Sequence, residues 1–554
     1  MREARGFARR LAGHCRWAVV LCLGAALAGA QQSAPQPPSG PASPSGQAQA
    51  APHDARITPE QAKQLFALVD ELLKFSSQET GLPIKNTVKR RLITRQEVEK
   101  YLDQKFNDDE GAKRLQRDEI VLKKFGLLDP DFELRPFLVA LLKEQIEAYY
   151  DTKTKTVNLL DWVDADEQKP VLAHELTHAL QDQHSDLDKW DNQTPDDVST
   201  AAAGDSDHLA RDEMDTARDA VAEGQATAVM MDYVLKPLGK SLIKDPEVLE
   251  IFKDQVTGSD SPVMARAPLL LSESMLFPYK EGLSFEQDIW MDEGRTAAFA
   301  GALDRPPTST WEIINPRVYE KREIPPLPLL PNIHPLLDAD YRPYDIGQVG
   351  ELDVHILAEL FGGDDAARDL TPAWNGGFYW AGQLRSAKTP AEQNSTKSLA
   401  LFYLSVWRNP QSASDFAKLY AGNLPRKYES VHRDAAAERG APPDAGLEQV
   451  YQTDEGPVVI TVQRNLVFVA ESFPLPLARQ LTALIIGAQG TGEMRTAQMG
   501  PGLRLFDAPG GPMSFAQPSG QPVFAPPLSA DLVRFFQSCG VMKAVVDAAL
   551  RTAH

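Results

Sequence analysis

Two histidines spaced four apart enclose a glutamate at His174-Glu175-Leu176-Thr177-His178, inside the apolar frame Val171-Leu172-Ala173 and Ala179-Leu180. On a helix the two imidazoles stand one turn apart on one face, so both can reach a single metal ion. Glu175 then lies beside a water on that metal and can take its proton. These residue types at this spacing point to zinc-assisted hydrolysis of a peptide bond. The chain has only 10 His in 554 residues, and chance alone writes the pattern in roughly one such chain in a hundred. The competing reading is a buried amphipathic helix with two incidental histidines, but paired buried histidines need partners that a plain core rarely supplies.

Hydrolytic zinc takes three protein ligands and keeps one open position, so a third ligand is required. Glu223, in Glu223-Gly224-Gln225-Ala226-Thr227, follows His178 by about 45 residues, and the glycine beside it lets two helices approach closely. His184 is the alternative, because His174 to His184 has the outer spacing of HExxHxxGxxH. That pattern uses glycine at its eighth position to turn the chain with positive φ. Gln181 stands there and would meet a steric penalty that glycine avoids. Glu223 is therefore the expected ligand, leaving His184 to cap the helix C-terminus. Asp219, one turn before Glu223, is placed to accept from a ligand histidine's other ring nitrogen and fix its tautomer. A donor to the tetrahedral oxyanion is also needed; Tyr233, Tyr279 and His208 are the candidates.

The block Ala173-His174-Glu175-Leu176-Thr177-His178-Ala179-Leu180-Gln181-Asp182-Gln183, the hairpin before it and the later Glu223-Gly224-x-Ala226-Thr227 together resemble an exported bacterial gluzincin-type metallopeptidase family. The resemblance covers residues 145–235. It implies a zincin-like fold, Zn²⁺ held by His174, His178 and Glu223, Glu175 as general base, and a peptide or protein substrate. No Gly-x-Met-Glu-Asn aminopeptidase motif is present, so endopeptidase cleavage is expected. The reading from another class is a catalytically silent, zinc-stabilised binding or scaffold protein of the cell envelope. The intact Glu175 separates the two, since such a descendant has no need of that carboxylate.

The first 30 residues carry Arg2, Arg5, Arg9, Arg10 and Arg16, then an apolar run from Trp17 to Leu27 and the small residues Ala28 and Ala30. This reads as a secretory signal peptide, predicting export to the periplasm or medium and no membrane span after cleavage. Two of the three cysteines, Cys15 and Cys22, leave with it, so Cys539 has no internal disulfide partner. The formal charge is −20. Because residues 1–30 hold five Arg and one Glu, the remainder sits near −24, which argues against nucleic acid and anionic membrane as partners.

Elements must position these residues. Residues 31–55 form a Pro/Ser/Gln linker. Thr58-Pro59-Glu60 begins a helix near 59–76, Ile84 to Ile93 reads as a strand, and helices follow at about 112–126 and 134–146. Ala148–Tyr150 and Thr156–Leu160 flank a polar turn as a β-hairpin, and the strand just ahead of the motif helix, Thr156–Leu160, offers an edge for a substrate backbone. The motif helix is expected from near Asp166 past Gln183, a polar loop over 186–207, and a long ligand helix from about His208 to Leu235. The class predicted is α+β, with a zincin-like catalytic domain over 56–330 and a C-terminal α+β module over 331–554. That module includes a strand pair at Val458–Val462 and Leu466–Ala470, a helix around Ala413–Tyr420, a Pro/Gly-rich stretch at 497–528 and a final helix near Ser529–Arg551. The aromatic run Trp374–Trp380 is expected to pack under a turn.

Overall fold

A computed structural model describes residues 57–490, apart from 107–108, 146–147, 167, 192, 196–197, 258–261 and 444–445. The expected signal peptide, the linker, the 497–528 stretch, Cys539 and the last helix lie outside the described residues. The class is α+β.

Helix α1 (Pro59–Thr80) starts on a complete capping box, with Thr58 and Gln61 each bonding the other's backbone N–H, and ends at Gly81 with φ 75°. It runs a turn further than the sequence suggests because Ser76, fully buried, donates to the Ala173 carbonyl of the motif helix at 3.1 Å. Strand β1 (Lys89–Ile93) follows, then α2 (Asp109–Phe125), α3 (Leu134–Gln145), β2 (Ala148–Asp151) and β3 (Thr156–Leu160). The small sheet has the order β1-β3-β2, with β1 parallel and β2 antiparallel to β3, so β3, expected to offer a free edge, is central and paired on both sides, and β2 is an edge instead.

The motif helix α4 (Gln168–Ser185) is buried at every residue from Pro170 to Asp182. Its first residue is tied to the end of β3: the Gln168 amide accepts from Leu160 N and donates to the carbonyls of Leu160 and Val163. The long helix expected from His208 is two helices, α5 (Ala202–Arg211) and α6 (Met214–Leu235), and the supposed loop over 186–207 also holds a short helix at Leu187–Trp190. The break falls at Asp212-Glu213 because tertiary bonds take both side chains. Asp212 accepts from Gln348 N at 2.7 Å, and Glu213 accepts from the Thr310 hydroxyl at 2.7 Å.

Helix α7 (Leu269–Glu293) crosses α6 at two glycines. A Cβ at Gly224 would stand 2.3 Å from the Gly282 carbonyl oxygen, and one at Gly282 would stand 2.1 Å from that of Ala220. Only glycine at both positions permits this approach.

The remaining strands form one antiparallel seven-stranded sheet, order β4-β5-β6-β10-β9-β8-β7: β4 (Tyr341–Gln348), β5 (Trp374–Leu384), β6 (Leu399–Trp407), β7 (Val431–Arg433), β8 (Leu447–Thr453), β9 (Gly456–Gln463) and β10 (Leu466–Glu471). Both faces are covered. Leu401 and Tyr403 join the core shared with α8 (Glu351–Leu370) and α9 (Pro410–Gly422), whereas Phe402 and Leu404 join a second core under α10 (Leu475–Ala488). This is why β6 reads as an unbroken apolar run rather than an alternation. The aromatics from Trp374 to Trp380 are part of strand β5, with Trp380 stacked on Phe402 at 5.7 Å.

Candidate metal centre

Three buried side chains converge between α4 and α6. His178 Nε2 lies 2.9 Å from His174 Nε2, His174 Nε2 lies 3.1 Å from Glu223 Oε2, and His178 Nε2 lies 3.6 Å from the same oxygen. Four-coordinate zinc at ordinary bond lengths spaces its ligand atoms about 3.3 Å apart. The observed edges bracket that figure, so these residues fit a metal ion of that size. Among the described residues this is the one group of three ligand atoms lying within 4.8 Å of one another.

A metal needs unprotonated donors. Burial pushes His174 down to about 4, against the opposing pull of Glu223, so a neutral imidazole is offered at neutral pH. Burial raises Glu223, but the two imidazoles more than offset it and bring the carboxyl down to about 2. Burial likewise disfavours charge on His178, yet the Glu223 carboxylate outweighs it and holds that imidazole above its usual value.

The tautomer of His178 follows from a chain of amides. Gln181 donates through Nε2 to the Ala222 carbonyl and to Gln225 Oε1, both at 2.9 Å, which fixes its orientation and leaves Oε1 as the acceptor. His178 Nδ1 lies 2.8 Å from that Oε1 and must therefore carry the proton, so the Nε2 lone pair faces His174 and Glu223. Gln225 in turn donates to the carbonyls of Ala298 and Phe299. Gln181 thus fixes the His178 tautomer, the kind of role expected of Asp219. His178 donates from Nδ1 to Gln181, and Nδ1 of His174 has no hydrogen-bond partner among the described residues.

Glu175 sits beside the triad and accepts from the Tyr150 backbone N–H of β2 at 2.7 Å. Burial pushes its carboxyl up to about 8, with Glu223 adding to the shift and His178 and the Tyr150 N–H opposing it. The strand is clamped to the helix a second time. Asp182 accepts from the Tyr150 hydroxyl at 2.8 Å, from Lys155 Nζ at 2.7 Å and from Leu187 N at 3.2 Å.

The other expected site residues divide. Tyr279 of α7 is buried and lies over His174, ring centroids 6.4 Å apart and planes 24° apart. Tyr233 is not at the centre: it stands ten residues beyond Glu223 on α6, about 15 Å along the axis, edge-on to Phe75. His208 belongs to a separate buried group, 3.6 Å from Asp212 and beside the Asp205–His334 pair. His184, in the last turn of α4, pairs with Asp304 at 2.9 Å. It cannot be the third ligand, because α4 continues through Gln181 and the chain turns only at Asp186, φ 53°. Sequence reading missed Gln181, Gln225, Tyr150 and Asp182. The available signal was the i,i+3 step from His178 to Gln181, which puts a polar amide on the buried face.

No family model, curated protein or solved structure matches this chain.

Proposed function

We propose that this chain is an exported zinc-dependent metallopeptidase with a zincin-like catalytic core, hydrolysing internal bonds of peptide or protein substrates. The observation that carries the reading is the buried triangle of His174, His178 and Glu223 with a carboxylate, Glu175, aimed beside it from the same helix. Bound zinc supplies Lewis acidity toward a peptide carbonyl and a water molecule. Glu175 takes a proton from the attacking water and later delivers it to the leaving amine nitrogen. The triad contributes three ligands and no fourth among the described residues, as a hydrolytic rather than a closed structural site requires. This favours the enzyme over the scaffold reading.

Substrate alignment falls to β2. Because β2 is an edge of the three-stranded sheet and its Tyr150 N–H bonds Glu175, that edge lies beside the triad. A peptide adding there as a further strand runs past the triad. Tyr279 is the candidate donor to the oxyanion, standing against His174. The Arg-rich, apolar N-terminus supports export. No helix among the described residues is long and apolar enough to cross a membrane.

The ligand set is tested by zinc content of purified variants. Glu223→Ala is expected to lose bound zinc and His184→Ala to keep one equivalent; the reverse pattern sinks the assignment.

A further inference from the structure

Away from the triad, a cavity of about 120 Å³ lies where α2, the first turns of α6 and α7, and the junction of β4 with α8 meet. Most of its wall is hydrocarbon, from residues such as Phe125, Leu270, Leu271 and Leu352. One end is different in kind: Asp212, Glu213 and Asp353 all reach it, and no Lys, Arg or His lines it.

Glu213 is the unusual member. The residue is 6% exposed, Oε1 accepts from the Thr310 hydroxyl at 2.7 Å, and Oε2 has no hydrogen-bond partner among the described residues. Gly350 makes room for it, since a Cβ there would stand 1.8 Å from Glu213 Oε1. Asp353 accepts from Gly350 N at 2.8 Å. Burial raises both acids, Glu213 well above its usual range and Asp353 to about 7, and the neighbouring carboxyls push the same way. A buried acceptor with no partner among the described residues is rare in a folded protein.

A metal ion does not answer this arrangement. Only the His174, His178 and Glu223 group brings three ligand atoms within 4.8 Å among the described residues. An organic ammonium group does, because its three N–H donors reach acceptors spread more widely than metal bonds allow. We propose that this cavity binds a small primary amine with an apolar body, its ammonium group on Glu213 and its hydrocarbon against Leu270 and Leu271. A dry apolar cavity of about 150 Å³ holds benzene, so the smaller volume here limits the apolar body to a short alkyl chain or at most a single ring. The acids have already left water on folding, so pairing costs the ammonium group's own desolvation and the ionisation of Glu213, which burial disfavours. The site is remote from the triad: Glu213 precedes α6 and Glu223 stands ten residues on, about 15 Å along the axis.

Calorimetric titration of the full chain with benzylamine and with benzyl alcohol, which has a similar shape and no charge, tests this. Benzylamine is expected to bind at least about tenfold more tightly, and Glu213→Gln to shrink that preference to about threefold or less while leaving the alcohol unaffected. Equal affinity of the two ligands in the wild type, binding of neither, or a preference that survives Glu213→Gln overturns the proposal. Should the variant not fold, the wild-type structure soaked with benzylamine decides. A nitrogen within hydrogen-bond distance of Glu213 supports the site, and an empty cavity or ligand elsewhere overturns it.

Discussion

At the scale of single residues, the candidate centre depends on the side chains that orient its buried donor atoms. Gln181 is the most informative of them. Its amide is locked by the Ala222 carbonyl and Gln225, and it dictates which nitrogen of His178 faces the cleft. Gln181→Leu removes that acceptor at nearly constant volume. Zinc affinity, measured by competition with a chromogenic chelator, should fall about 10- to 100-fold, the usual effect of losing such a partner. Affinity equal to wild type contradicts the role. His174, Glu175, His178 and Glu223 were legible in the sequence because their chemistry fixes both residue type and spacing. Gln181 and Gln225 were not, because an amide is only defined by the carbonyl it meets, and those carbonyls come from helices distant in sequence.

At the scale of elements, the ligand from α6 reaches the histidines of α4 only because α6 and α7 pack closely behind it. Gly224 and Gly282 set that distance. Gly224→Ala would drive a methyl group into the Gly282 backbone, and overpacking of this kind costs about 1–3 kcal/mol or more. The variant should melt at a lower temperature and bind zinc more weakly, since Glu223 is the adjacent residue; unchanged melting and zinc affinity would refute the crossing as a determinant. The pattern of apolar positions was enough for α1, α2, α3, α4, α9, the hairpin of β2 and β3, and the pairing of β9 with β10. It failed where tertiary bonds override it. The stretch before Leu235 reads as one helix, but Asp212 and Glu213 are claimed by Gln348 and Thr310 and break it. Strand β6 was missed because burial on both faces erases the alternation that marks a strand, and β4, a half-buried edge strand, because Pro343 and a bulge beside it interrupt the pattern.

At the scale of the whole molecule, one apolar core runs from Leu65 of α1 to Val469 of β10, and charged side chains cross it, as in the Lys124–Glu455 pair at 2.7 Å. Several acids are buried along this contact, among them Glu351, which burial pushes up to about 7 despite a bond from Asn315. A carboxyl raised in the folded state binds its proton more tightly there than in the unfolded chain. The stability it adds is therefore present below about pH 4.5 and is lost as pH rises toward 7. Glu351→Gln does not titrate, so the melting-temperature advantage of wild type over this variant should shrink between about pH 5 and 7.5; a constant difference across that range would contradict the shift. The hydrolytic reading itself depends on one carboxylate next to an intact ligand set. Zinc content and cleavage of a peptide library, measured on the full chain and on Glu175→Gln, test it most directly. The expected result is one zinc per chain in both proteins, with cleavage by the variant reduced about a thousandfold or more. Cleavage at the wild-type rate by Glu175→Gln, or zinc bound by a wild type that cleaves no peptide, would contradict it.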